Sequence, residues 1–136
     1  MKTNIFASIV FFGAWILMGS SNNSPSTKHV QAAATATVEV IQFHSEHRCY
    51  TCNKIEEFTR KTLSSYKQVP FKLVNADDKK NEKIAKDFQA FGSALFLFNP
   101  KTGAKKDLTD FAFMNANNEE KFIAGLKKEL DAFIKL

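Results

Sequence analysis

The stretch Val38-Glu39-Val40-Ile41-Gln42-Phe43-His44, and after a short polar loop Cys49-Tyr50-Thr51-Cys52, decides how this chain is read. Apolar and polar side chains alternate over residues 38–44, the length of one strand. Beyond the first cysteine the period changes. Ile55, Phe58, Thr62 and Tyr66 recur at helical spacing, which predicts a helix reaching about Lys67. The chain's two cysteines therefore sit three positions apart at a strand-to-helix junction.

That spacing lets a disulfide close within one helical turn, so the pair can cycle between dithiol and disulfide with little backbone movement. Unpaired N–H groups and the dipole at a helix N-terminus favour an anion, and Arg48 adds a neighbouring positive charge. Cys49 is the expected nucleophile, its thiolate attacking a partner disulfide. Cys52 is the expected resolving thiol, buried against the first strand. Tyr50 and Thr51 are placed to tune the reduction potential. His47, when protonated, would stabilise the Cys49 thiolate; its other reading is a solvated loop histidine, and His44 is expected to pack at the strand end.

A purely structural disulfide fits less well, because so short a loop removes little unfolded-state entropy. The alternative chemistry is soft-metal or metalloid binding. His44, His47, Cys49 and Cys52 supply the donor set of a tetrahedral zinc site within nine residues. Such sites usually draw their ligand pairs from separate elements, so the redox reading leads, and no metal or cofactor is expected. A third reading is a non-catalytic interaction domain with a vestigial cysteine pair.

Outward from this junction, residues 69–74 read as a second strand, with Pro70 marking an edge or a strand end. Asp77-Asp78 can cap a helix that presents Ile84, Ala85, Phe88 and Phe91 on one face and stops at Gly92. Ala94-Leu95-Phe96-Leu97-Phe98 is continuous apolar sequence, as in a strand buried on both faces. Asn99-Pro100-Lys101-Thr102-Gly103 then turns the chain into a hairpin partner over residues 104–108. Asn117 and Glu120 form a capping box for a last helix with Phe122, Ile123, Leu126, Leu130, Phe133 and Ile134 as its apolar stripe. The order β-α-β-α-β-β-α implies an α/β fold, a mixed sheet of about four strands with helices on both faces.

Residues 5–18 form an uncharged run of 14 behind Lys2, too short for an ordinary membrane span. Residues 1–21 are expected to be a signal peptide, residues 22–36 a flexible linker and residues 37–136 the domain. The protein is thus expected to be exported, in a bacterial setting to the periplasm, where disulfides persist. The alternative is an uncleaved anchor holding it to the membrane, facing out of the cytoplasm.

At 136 residues and 15.3 kDa there is room for one small domain, and 44% apolar residues suffice for its core. Net charge is +5, or +3 without Lys2 and Lys28 of the leading tract, and the other lysines are interspersed with acids. That reads as a solvated surface, and no nucleic-acid partner is expected. The fourteen phenylalanines are mainly core material.

The strand–CxxC–helix junction and the later Phe91–Phe98 stretch resemble the thioredoxin-like superfamily over residues 38–136. The resemblance implies a thioredoxin-like fold and a protein thiol or disulfide as partner. In that fold a cis-proline before the third strand presents backbone to the partner peptide. Ser93 stands in its place here, which makes Ser93 and Ala94 candidate docking residues. Gln42 stands where thioredoxins carry a buried acid, Arg48 replaces the usual tryptophan, and the loop to Cys49 is one residue longer.

More narrowly, residues 44–52, 92–96 and 108–115 resemble the ArsF-type subunit of a nitrophenyl-compound nitroreductase, a family of small exported bacterial proteins. That resemblance implies electron relay in a nitroaromatic arsenical-reducing system, fed by a membrane thiol transporter. Without a Gly-rich nucleotide loop, the chain is not expected to hold a flavin or nicotinamide itself. Within residues 108–115, Phe111 and Phe113 are further candidates for partner docking, or else close the core.

Overall fold

Val40 and Ile41 adjoin in sequence, and both are buried because they point to opposite faces of a sheet that is covered on each side. This is seen in a computed structural model of the chain, which describes residues 38–136. The expected signal segment (1–21) and linker (22–36) lie outside the described residues. Among the described residues, no helix is long and apolar enough to cross a membrane.

Strand β1 (Glu39–His44) is central. It pairs in parallel with β2 (Phe71–Asn75) and antiparallel with β3 (Ala94–Phe98), which carries the short β4 (Lys105–Asp107) on its far edge. The sheet order is β2-β1-β3-β4. The helices are α1 (Tyr50–Leu63), α2 (Glu82–Phe88), α3 (Thr109–Asn115) and α4 (Glu119–Ile134). On one face Val40, Leu95 and Leu97 meet Ile55 and Phe58 of α1, Ala112 of α3, and Phe122, Leu126 and Leu130 of α4. On the other, Ile41, Phe43 and Phe96 meet Ala85 and Phe88 of α2. The mixed four-stranded sheet with helices on both faces is the α/β architecture expected from the sequence.

Phenylalanine fills both layers. Phe43, Phe88, Phe96 and Phe98 form one cluster with ring centroids 5.2–5.9 Å apart, the spacing of tilted and edge-to-face pairs. Phe58, Phe122 and Phe111 form a second on the opposite face. Burying such a side chain stabilises the fold by roughly 1.5–3 kcal/mol.

Several boundaries differ from expectation. Helix α1 ends at Leu63, about a turn before Lys67, because the Ser64 hydroxyl bonds the Lys61 carbonyl and competes with the helical ladder. Tyr66 still reaches the core, from the turn that follows. Asp78 caps a short 3-10 turn (Lys79–Asn81) that precedes α2, so it does not cap α2 itself. Helix α2 stops at Phe88, where Gln89 takes the left-handed conformation (φ 53°), well short of Gly92. Phe91 is consequently off the helix and 84% exposed, where the periodicity had placed it in the core. The last helix is capped by Asn118, one residue after the expected Asn117, its side chain accepting from the Lys121 N–H at 2.9 Å. Ile134, expected in the apolar stripe of that helix, is its last residue and is 37% exposed.

Helix α3 is an element the sequence did not announce. Asp107 accepts the Thr109 N–H at 2.8 Å and starts it. Phe111 turns inward against Phe122 and lies over Gly125. A β-carbon at Gly125 would collide with that ring, which accounts for a glycine in mid-helix despite its poor propensity. Phe111 therefore closes the core and is half-buried, leaving Phe113 (40% exposed) and Met114 on the outer surface.

Candidate functional site

Gln42 is the one polar side chain in the buried middle of β1, and its surroundings lead directly to the cysteines. Its amide Nε2 donates to the Cys52 carbonyl at 3.0 Å, so β1 is tied to the first turn of α1. Its Oε1 has no hydrogen-bond partner among the described residues.

The loop between β1 and α1 is held from two sides. The Glu46 N–H donates to Asp77 Oδ2 at 2.8 Å, and the Asn75 side chain donates to the Glu46 carboxylate. The backbone at Gly92 lies beside Ser45. Cys49 then caps α1 in extended conformation, its Sγ accepting the Cys52 N–H at 3.2 Å. There is no acidic residue in the first turn of α1 to oppose an anion there.

The two cysteines form a disulfide, with Cα atoms 5.2 Å apart. Cys49 is exposed, whereas Cys52 is buried at 3% exposure. An incoming sulfur can reach only the first. Pairing of Ala94 with Phe43 brings Ser93, one residue before β3, to this same end of the sheet. Ser93 Oγ lies 3.1 Å from Cys52 Sγ. Ala94 itself is half-buried against the α2 layer.

The other expected site residues divide. Tyr50 is 71% exposed beside Cys49, with Lys54 near its ring face, and Thr51 is half-buried. The Arg48 guanidinium pairs with Glu56, which also holds Arg60. Burial pushes the Glu56 carboxyl up, but hydrogen bonds from the two arginines outweigh it and hold the group below its usual range. His47 is exposed in the loop. The His44 Nδ1 is engaged with the Ser45 carbonyl at 2.9 Å. Among the described residues, no three His, Cys, Asp or Glu side chains are grouped as metal ligands, so the four-donor zinc alternative is not assembled.

Two features escaped sequence reasoning. Phe91 is an exposed aromatic two residues from Ser93, and only a glycine or asparagine at position 89 would have signalled the early helix stop. The Ser93–Cys52 contact joins residues 41 apart and depends on strand register.

No family model matches the chain, and no curated protein does. The narrower nitroreductase-subunit resemblance thus gains no support. Among solved structures, the chain is similar to a malarial protein at 26% identity and a TM-score of 0.42, over 58% of this chain and 94% of that one. It is also similar to thioredoxin f2 of Chlamydomonas reinhardtii, at 21% identity and a TM-score of 0.45, over 63% and 83% of the two chains. Oxidized mitochondrial thioredoxin 3 of Saccharomyces cerevisiae matches at 19% identity and a TM-score of 0.44, over 62% and 80%.

Proposed function

We propose that the chain is an exported thiol–disulfide oxidoreductase that exchanges two electrons with a protein partner through Cys49 and Cys52. The observation that carries this reading is the asymmetry of the disulfide: an exposed Cys49 at a helix N-terminus and a buried Cys52 one turn on. In the reducing direction the Cys49 thiolate attacks a partner disulfide. One partner sulfur leaves as a thiolate and a mixed disulfide forms. The Cys52 thiolate then attacks Cys49 Sγ, closing the intramolecular disulfide and releasing the second partner sulfur. The dithiol loses two electrons and two protons, and the partner disulfide gains them.

The export part of this reading rests on residues 1–21 of the sequence. The resemblance noted above extends this reading to a substrate: a nitroaromatic arsenical-reducing system supplied by a membrane thiol transporter.

Cys52→Ser protein should accumulate a mixed disulfide through Cys49 that survives non-reducing electrophoresis. Cys49→Ser should accumulate none, since its remaining thiol is buried. Trapping by Cys49→Ser alone would reverse the roles, and equal trapping by both variants would remove the distinction between them. Absence of any trapped species would count against exchange with a protein.

A further inference from the structure

Each sulfur of the disulfide accepts one hydrogen bond. Cys49 Sγ takes the Cys52 N–H, and Cys52 Sγ lies 3.1 Å from Ser93 Oγ. In a disulfide neither sulfur carries a proton, so the Ser93 hydroxyl must be the donor. Gln42, buried in β1 beside the same turn, cannot serve the Cys52 sulfur in that way. It has no exchangeable acid proton, and its amide N–H is used on the Cys52 carbonyl.

We propose that Ser93 is a catalytic residue of this site, its hydroxyl stabilising the thiolate that Cys52 becomes when the disulfide opens. This rests on the redox reading above. A partner thiolate attacks the exposed Cys49 Sγ, the Cys49–Cys52 bond breaks, and its electron pair goes to Cys52 Sγ. That sulfur gains charge in a pocket where it is 3% exposed, so water does not solvate it freely. The hydroxyl already aimed at it strengthens from a weak bond to a neutral sulfur into a charge-assisted bond to a thiolate. In the closing direction the same bond keeps Cys52 ionised for its attack on the mixed disulfide. Ser93 supplies this hydrogen bond from the residue just before β3, the strand paired with β1.

The test uses the Cys49→Ser protein, in which Cys52 is the single thiol, and follows thiolate ultraviolet absorbance against pH. Adding Ser93→Ala should move the Cys52 titration to higher pH by about one unit, the loss of one hydrogen bond to a charged group. Adding Ser93→Thr, which keeps the hydroxyl, should leave it near its starting point. With both cysteines present, opening of the disulfide by dithiothreitol should slow about 3- to 10-fold in Ser93→Ala and recover in Ser93→Thr. Heat unfolding of the oxidised forms shows whether each variant is folded. An unmoved titration in a folded Ser93→Ala protein overturns the role of Ser93 while leaving partner trapping by Cys52→Ser intact. A shifted titration without any trapping would uphold the hydrogen bond and bring down the redox reading instead.

Discussion

Cys49→Ser protein is expected to catalyse reduction of a protein disulfide by dithiothreitol at no more than the uncatalysed background. The loss should be on the order of a thousandfold, as for removal of an essential nucleophile. The size of the effect follows from access. Cys49 is the exposed sulfur of the pair, and Cys52 is packed beneath it at 3% exposure, so the remaining thiol has no route to a partner. The fold should survive the change. The four-residue loop closed by the disulfide restricts the unfolded chain so little that its loss costs at most about 2 kcal/mol. Activity measured beside heat unfolding separates the two effects. A folded Cys49→Ser protein with near-normal activity would show that the chemistry lies elsewhere.

Phe43→Ala is expected to destabilise the domain by about 3–5 kcal/mol, the range for deleting a fully buried aromatic ring. Phe43 is 0% exposed, in the central strand, with Phe88 at 5.5 Å and Phe96 at 5.9 Å between ring centroids. Its removal leaves a cavity between the sheet and α2 that two neighbouring rings cannot collapse to fill without leaving their own packing. Urea unfolding followed by circular dichroism measures the cost through the midpoint shift. A change below about 1 kcal/mol would mean that the α2 layer relaxes over the gap and is not the close-packed face described above.

What the sequence made legible was whatever depends on local periodicity. The continuous apolar run at Ala94–Phe98 is the doubly covered strand β3, and the cysteine pair falls at the start of α1, as its position after a strand implied. Periodicity was less informative where side-chain hydrogen bonds or backbone conformation intervened. Ser64 shortens α1, Gln89 ends α2 in a left-handed conformation, and Asp107 starts the unexpected α3. Phe91 and Phe111 show the consequence in opposite directions. Phe91 was read as core and is exposed, whereas Phe111, read as either a docking residue or core, takes the core alternative and packs over Gly125.

At the site, the residues on the CxxC segment itself were legible because their roles follow from their place at the helix start. The partners were not, because pairing is long-range. The charge of Arg48 is shared with Glu56, eight residues on, and the hydroxyl of Ser93 reaches Cys52 across the sheet end. His44, His47 and the two cysteines are close in sequence, yet a strand end, a loop and a helix start do not bring their donors to one point. Proximity in sequence is a weak guide to convergence in space.

The central claim is that Cys49–Cys52 is a working redox couple. The most direct test is its reduction potential, measured on metal-stripped protein equilibrated in graded glutathione or dithiothreitol buffers. A reversible two-electron couple between about −120 and −270 mV, the range of thiol–disulfide exchange proteins, is the predicted result. A bond that resists reduction below about −300 mV would behave as a structural disulfide and contradict the account.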